Sequence, residues 1–110
     1  MLIKDFKQIL DQTELPVTYY QWEPGEVPPL PYIVYWIPED SDFYADGTNY
    51  VCIQNVRIEL YSKTKDWDLE TKVENVLKQN GIPYGREETY LRTEEMWMVV
   101  YTVSILRTDQ

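Results

Sequence analysis

Tyr50-Val51-Cys52-Ile53-Gln54-Asn55-Val56-Arg57-Ile58-Glu59-Leu60-Tyr61 is the longest strand-like stretch of the chain, and its second half decides the fold. There Val56, Ile58 and Leu60 alternate with Asn55, Arg57, Glu59 and Tyr61, the pattern of a strand that turns one face to a core. Cys52 shares the parity of the inward set. Val51 and Ile53 do not, which points to a bulge or to an apolar partner on the second face near the start of the strand.

Upstream, Tyr32-Ile33-Val34-Tyr35-Trp36-Ile37 is a second strand, apolar on both alternating sets and ended by Pro38. Such a segment is buried on both faces, or buries one and offers an aromatic contact surface on the other. Between the two strands, residues 39–49 form an acidic segment expected as a solvated loop, with Asp46-Gly47 as a turn signal. Before them, Glu23 to Pro31 holds four prolines, which remove backbone donors and favour extended or turn geometry, so it reads as a stiff connector. Pro28 and Pro31 have PxxP spacing, which a connector explains without a partner. Val17 to Gln21 is a short strand by propensity. Leu2, Phe6, Ile9 and Leu10 give one apolar face to a helix over residues 3–12, closed off by Pro16.

Downstream, Asp66 is placed to cap a helix whose buried stripe is Leu69, Val73, Val76 and Leu77. Asp68 with Lys72 and Glu74 with Lys78 have the spacing of solvent-facing ion pairs, and Gly81 that of a left-handed terminator. From Tyr84 the pattern is a hairpin with its turn near Thr93-Glu94-Glu95, and a return arm that alternates Trp97, Val99, Tyr101, Val103 and Ile105. The expected fold is α+β: a mainly antiparallel sheet with two helices packed on one face, in the order α-β-β-β-α-β-β.

The 110 residues suit one domain, 1–110, with one modest core. The longest apolar runs are six residues, against about twenty for a membrane-spanning helix. No membrane partner and no secretory leader are expected. Cys52 is the single cysteine, which excludes an internal disulfide and fits a reducing cytoplasm. Nineteen acidic residues against ten basic ones give a net charge of -9, which opposes binding to a phosphate backbone.

Catalytic chemistry finds little to work with. There is no histidine, so the commonest general base near neutral pH and the commonest zinc ligand are missing, and nothing of that kind is present to activate Cys52. Glu87-Glu88 and Glu94-Glu95 are neighbours whose side chains diverge on a strand or turn, and Glu70 with Glu74 has the spacing of an ordinary solvated helix. Asp40, Asp42, Asp46 and Asn49 resemble an oxygen-rich calcium loop only briefly, because the EF-hand pattern counted from Asp40 meets Tyr44, Ala45 and Val51 at its fifth, sixth and twelfth positions. No phosphate-binding glycine motif occurs. No cofactor, metal or catalytic residue is therefore expected.

What remains is an excess of aromatic residues, four tryptophans and ten tyrosines, more than a core of this size needs. Tyr and Trp supply large, rigid contact area with one polar handle each, the chemistry of interface centres. Aromatic platforms for single-stranded nucleic acid normally come with positive charge, whereas glutamates dominate the hairpin that carries Tyr90, Trp97 and Tyr101.

Beyond composition, Tyr32-Ile33-Val34-Tyr35, Asp42-Phe43-Tyr44-Ala45-Asp46 leading to Tyr50, and Val56-Arg57-Ile58-Glu59-Leu60-Tyr61-Ser62-Lys63 follow one another in a familiar order. They continue into Asp66-Trp67-Asp68-Leu69-Glu70 with Val73-Glu74 and Leu77, then Glu88-Thr89-Tyr90, Met96 and Val100-Tyr101. In this succession the chain resembles the tail terminator, or tail completion, proteins of long-tailed phages and prophages of Gram-positive bacteria. The resemblance implies an α+β subunit that assembles as a ring, commonly a hexamer, at the head-proximal end of the tail tube. There it would cap the tube and meet the head connector. It implies two protein partners, tail tube and connector, and a location at the head-tail junction of the virion after assembly in the host cytoplasm. Tyr35, Tyr61, Trp67 and Tyr90 match recurrent aromatic or apolar positions of that family. Trp36, beside the recognised strand, and the acidic segment with Asp40, Asp42 and Asp46 complete the residues expected at protein interfaces. Two other readings compete: an acidic inhibitor or adaptor that imitates nucleic-acid charge, and an enzyme of an unusual carboxylate or tyrosine class.

Overall fold

The computed structural model describes residues 3–38, 40–45 and 49–107, with the backbone alone described for 40–45, 49–52 and 107. A 3-10 turn, Ile3–Asp5, leads into helix α1, Phe6–Asp11. Strands β1 (Val17–Tyr19), β2 (Tyr32–Trp36), β3 (Asp40–Ala45) and β4 (Asn49–Ser62) follow, then helix α2 (Trp67–Gln79) and the hairpin of β5 (Tyr84–Leu91) and β6 (Met96–Arg107). The expected α+β class and mostly antiparallel sheet are observed, with one addition to the elements. The acidic segment expected as a loop is drawn into the sheet as β3, which pairs with the first part of β4 from Asp40 opposite Gln54 to Ala45 opposite Asn49. Leu2, Asp46 and Gly47 lie outside the described residues.

Among the described residues six strands share one sheet, ordered β1-β2-β4-β6-β5, with β3 attached to β4 beyond the end of β2. Of these pairings that of β1 with β2 is parallel, and the others are antiparallel. The register of β4 against β6 is unbroken from Cys52 opposite Arg107 to Ser62 opposite Trp97, so β4 carries no bulge toward that neighbour. The irregularity lies in the facing chain: three residues separate β2 from β3 where only Asn55 and Val56 separate their partners on β4. Pro38 is one of the three, and a residue without an N–H is tolerated at such a break in the ladder.

Alternation then sorts the side chains. Ile33 and Tyr35 of β2, Val56, Ile58 and Leu60 of β4, and Val99, Tyr101, Val103 and Ile105 of β6 point to the face covered by the helices. Phe6 and Leu10 of α1 and Val73 and Leu77 of α2 join that cluster, each fully buried, together with Val17 of β1 and Ile82. Burial of a side chain of this kind contributes roughly 1.5–3 kcal/mol against the conformational entropy that ordering costs.

The helix ends are fixed locally. Asp66 accepts the Leu69 N–H at 3.0 Å as the cap of α2. At its other end Gly81 takes φ +70, with its N–H donating to Lys78 O at 3.0 Å and that of Ile82 to Leu77 O at 2.9 Å. The Asn80 side-chain amide donates to Val76 O at 2.8 Å and to Gln12 Oε1 at 3.0 Å, joining the ends of the two helices.

The two ion pairs expected on the outer face of α2 are replaced by others. Lys72 reaches Glu14 at 3.4 Å, and Glu74 turns inward, where it accepts hydrogen bonds from Tyr101 at 2.8 Å and Tyr84 at 3.2 Å. A carboxylate beside two tyrosine hydroxyls gains more there than from a solvated lysine, since exposed four-apart pairs are worth only about 0.3–0.5 kcal/mol.

Candidate protein-interaction surface

On the helix-free face, the register of β2 against β4 sets Tyr32 opposite Tyr61, Val34 opposite Glu59 and Trp36 opposite Arg57. Alternation points Tyr32, Trp36, Arg57, Glu59 and Tyr61 away from the helices, where Trp36, Arg57 and Tyr61 converge on the Glu59 carboxylate. It accepts from Tyr61 Oη at 2.6 Å, Arg57 Nε at 2.7 Å and Trp36 Nε1 at 3.1 Å. The Glu59 side chain is 12 % exposed, so each donor supplies part of what burial takes from it. Burial by itself pushes the carboxyl upward. The hydrogen bonds from Tyr61, Arg57 and Trp36 and the charge of Arg57 outweigh it and hold Glu59 below the usual carboxylate range. Conversely, burial and the adjacent carboxylate push the Tyr61 hydroxyl well up.

Around this centre the rings form a lattice. Tyr20 meets Trp36 edge-on at 5.7 Å, Tyr32 meets Tyr61 at 5.4 Å, and Trp22 meets Tyr32 edge-on at 5.6 Å. Tyr20 and Trp22 lie between the end of β1 and the proline-rich Glu23 to Pro31 connector, and this short segment lays its rings over the helix-free face. Tyr20 remains 60 % exposed, in position to meet another molecule.

A second patch lies at the start of α2 and the facing end of the β5–β6 hairpin. The Lys65 ammonium sits 5.4 Å from the Trp67 ring and 5.7 Å from the Trp97 ring, a cation held between two indoles. It also pairs with Glu70 at 2.6 Å and with Glu88 at 3.1 Å. Tyr90 packs on Trp97 at 5.3 Å. Trp67 is 69 % exposed and Tyr90 43 %. Beneath them Glu70 is buried between Lys65 and Arg86, and the Arg86 guanidinium bonds Glu70, Glu88 at 2.9 Å and, more loosely, Glu74 at 3.6 Å. The hydrogen bond to Glu70 chiefly raises the Arg86 pKa further, and those from Arg86 and Lys65 lower that of Glu88.

Four of the eight interface residues expected from sequence fall in these two clusters. Trp36 and Tyr61 come together around Glu59, and Trp67 and Tyr90 come together around Lys65 and Trp97. Tyr35 lies elsewhere: it is buried on the helix side between Phe6 and Tyr19, with ring centroids at 5.9 Å and 5.1 Å. Asp40 and Asp42 belong to β3, their side chains outside the described residues, and Asp46 lies outside them altogether. Arg57, Glu59 and Lys65 carried no signal beyond that of solvent-facing polar residues, because their roles depend on partners distant in sequence.

Chemically, the arrangement is suited to binding. Glu70 and Glu74, the helix carboxylates that share a spacing, face Arg86, Lys65 and tyrosine hydroxyls, so their charge is already balanced within the fold. Among the described residues no group of three or more His, Cys, Asp or Glu side chains could hold a metal ion, and no described helix is long and apolar enough to cross a membrane.

Neither a family model nor a characterised protein sequence matches the chain. The fold, however, matches solved structures, among them a chain from the virion of a native gene transfer agent particle. That chain superposes with a TM-score of 0.61 over 89 % of this chain and 82 % of its own length, at 11 % sequence identity. At that identity the likeness establishes a shared fold: this α+β domain has the architecture of a component of a gene transfer agent virion.

Proposed function

We propose that this chain is a structural virion protein that caps the tail tube and joins it to the head connector, acting as a ring of identical subunits and without catalysis. The observation that carries the reading is the near full-length fold match to a gene transfer agent virion chain. The sequence resemblance to tail terminators, spread over residues 30–106, agrees with it. The two aromatic patches supply contact surface of the kind that interfaces use at their centres. In this role Trp36, Tyr61, Trp67 and Tyr90 make or buttress subunit contacts, while the acidic β3 segment with Asp40, Asp42 and Asp46 faces a partner or the DNA passage. Six copies, commonly found in the family it resembles, would close the ring, located at the head-tail junction.

Native mass spectrometry with negative-stain imaging, alone and with purified tail-tube and connector proteins, tests the proposal. A closed ring that binds the end of the tube is the expected result. A strictly monomeric particle with no affinity for either partner would sink it. The acidic-mimic reading is disfavoured because Glu59, Glu70, Glu74 and Glu88 are all engaged by donors of the same chain, leaving no regular row of free carboxylates among them.

A further inference from the structure

The two aromatic patches lie at opposite edges of the sheet and on opposite faces. Tyr20 and Trp36 lie toward the β1–β2 edge, with Arg57 beside Trp36 on the central strand β4, all on the helix-free side, whereas Tyr90, Trp97 and Trp67 lie at the β6–β5 edge on the helix side. Four strand spacings separate these edges, roughly 19 Å. A two-fold dimer would need one self-complementary patch, used by both copies. Two different patches on opposite sides of a subunit fit a head-to-tail contact, which repeats from copy to copy and closes into a ring when the rotation allows.

Their chemistry is complementary. The Arg57 side chain is 37 % exposed and is bound through Nε alone, so its terminal nitrogens have no partner among the described residues. On the other patch, the exposed Trp67 stands between exposed Asp66 and Asp68, of which only Asp66, as the helix cap, has a partner among the described residues. One patch thus offers aromatic surface with available guanidinium N–H groups, and the other offers aromatic surface with a free carboxylate. Resting on the ring reading above, we infer that the Tyr20–Trp36–Arg57 patch of one copy docks onto the Trp67–Tyr90–Asp68 patch of the next copy. Each subunit then contributes one patch of each kind, and Glu59 acts as the internal clamp that holds Trp36 and Arg57 ready for contact.

Native mass spectrometry of the wild type, Tyr20→Ala, Trp67→Ala and an equimolar mixture of the two variants tests this. Both substituted side chains are largely exposed, and circular dichroism checks that the variants keep the wild-type fold. Asp68→Arg is a second variant on the helix-side patch that leaves every packed ring in place. Each single variant is expected to weaken self-association by at least about tenfold, the range for an interface anchor, and to run as a monomer where the wild type is a ring. The mixture is expected to form one-to-one heterodimers and stop there, because only one intact pair of patches remains between the two variants. Wild-type rings from either variant, or a mixture that stays monomeric, would overturn the inference while leaving the ring reading intact. A wild type that never associates would overturn both.

Discussion

Glu59 ties three side chains from two strands to one carboxylate, so its removal separates their contributions. Glu59→Gln keeps the shape but replaces a charged acceptor by a neutral one, and is expected to cost about 1–2 kcal/mol near neutral pH, read by urea unfolding. Because the folded carboxyl is held below its ordinary value, its stabilisation is complete above the unfolded carboxylate pKa and is lost as pH falls through the folded one. The gap between wild type and Glu59→Gln should therefore narrow below about pH 4. A gap that stayed constant down to acid unfolding would mean that charge contributes nothing there. Glu70 presents a different case, since it is buried between two cations. Glu70→Ala removes the buried anion and leaves Lys65 and Arg86 to share the more exposed Glu88, with Arg86 also near Glu74, and should destabilise by about 1.5–3 kcal/mol. The same unfolding assay reads it, and a loss under about 1 kcal/mol would show that the cations simply turn out to solvent.

Elements differ in how far their own residues determine them. For α2 nearly everything is local: an aspartate cap, an apolar stripe at helical spacing and a glycine at the left-handed position. Asp66→Ala should accordingly cost about 1 kcal/mol by leaving the Leu69 N–H without its acceptor, with thermal unfolding as the measurement and no change in the β-sheet signature. The second half of β4 and the β5–β6 hairpin were legible for the same reason, since alternation is written in consecutive residues. β3 was not. Asp40, Ser41 and Asp42 are poor strand formers, and they become a strand only because the first part of β4 supplies a ladder for them. The parallel pairing of β1 with β2 was equally hidden, because the intervening connector has no helical pattern to announce a crossover. In the candidate site, the aromatic identity of Trp36, Tyr61, Trp67 and Tyr90 could be read directly. That Trp36 lies opposite Arg57, or that Lys65 lies between Trp67 and Trp97, depends on register and helix docking, which no short window encodes.

At the scale of the whole molecule, a single buried cluster takes residues from both helices and from β1, β2, β4 and β6. Strands and helices are therefore predicted to unfold together, as expected when no group of elements has a core of its own. The tryptophans provide probes distributed over the fold: Trp22 and Trp36 on the helix-free face, Trp67 and Trp97 at the helix side. Leu77→Ala offers the sharpest test, because Leu77 is fully buried in α2 and its truncation leaves a cavity beneath the sheet. A loss of about 2–5 kcal/mol is expected, a large fraction of the roughly 5–15 kcal/mol that stabilises a domain, and enough to lower the melting temperature by on the order of 10 °C. If the cluster is one cooperative unit, far-ultraviolet dichroism and tryptophan fluorescence will move to the same lower midpoint, although the helices dominate the first signal and the second comes from both faces of the sheet. Separation of the two curves, with helical signal lost before the fluorescence changes, would show that α1 and α2 detach from a sheet that persists without them. The helix-side patch, which needs Trp67 of α2 near Trp97 of β6, would then come apart before the helix-free patch, and the proposed assembly through both patches would fail at a temperature below that of the sheet itself.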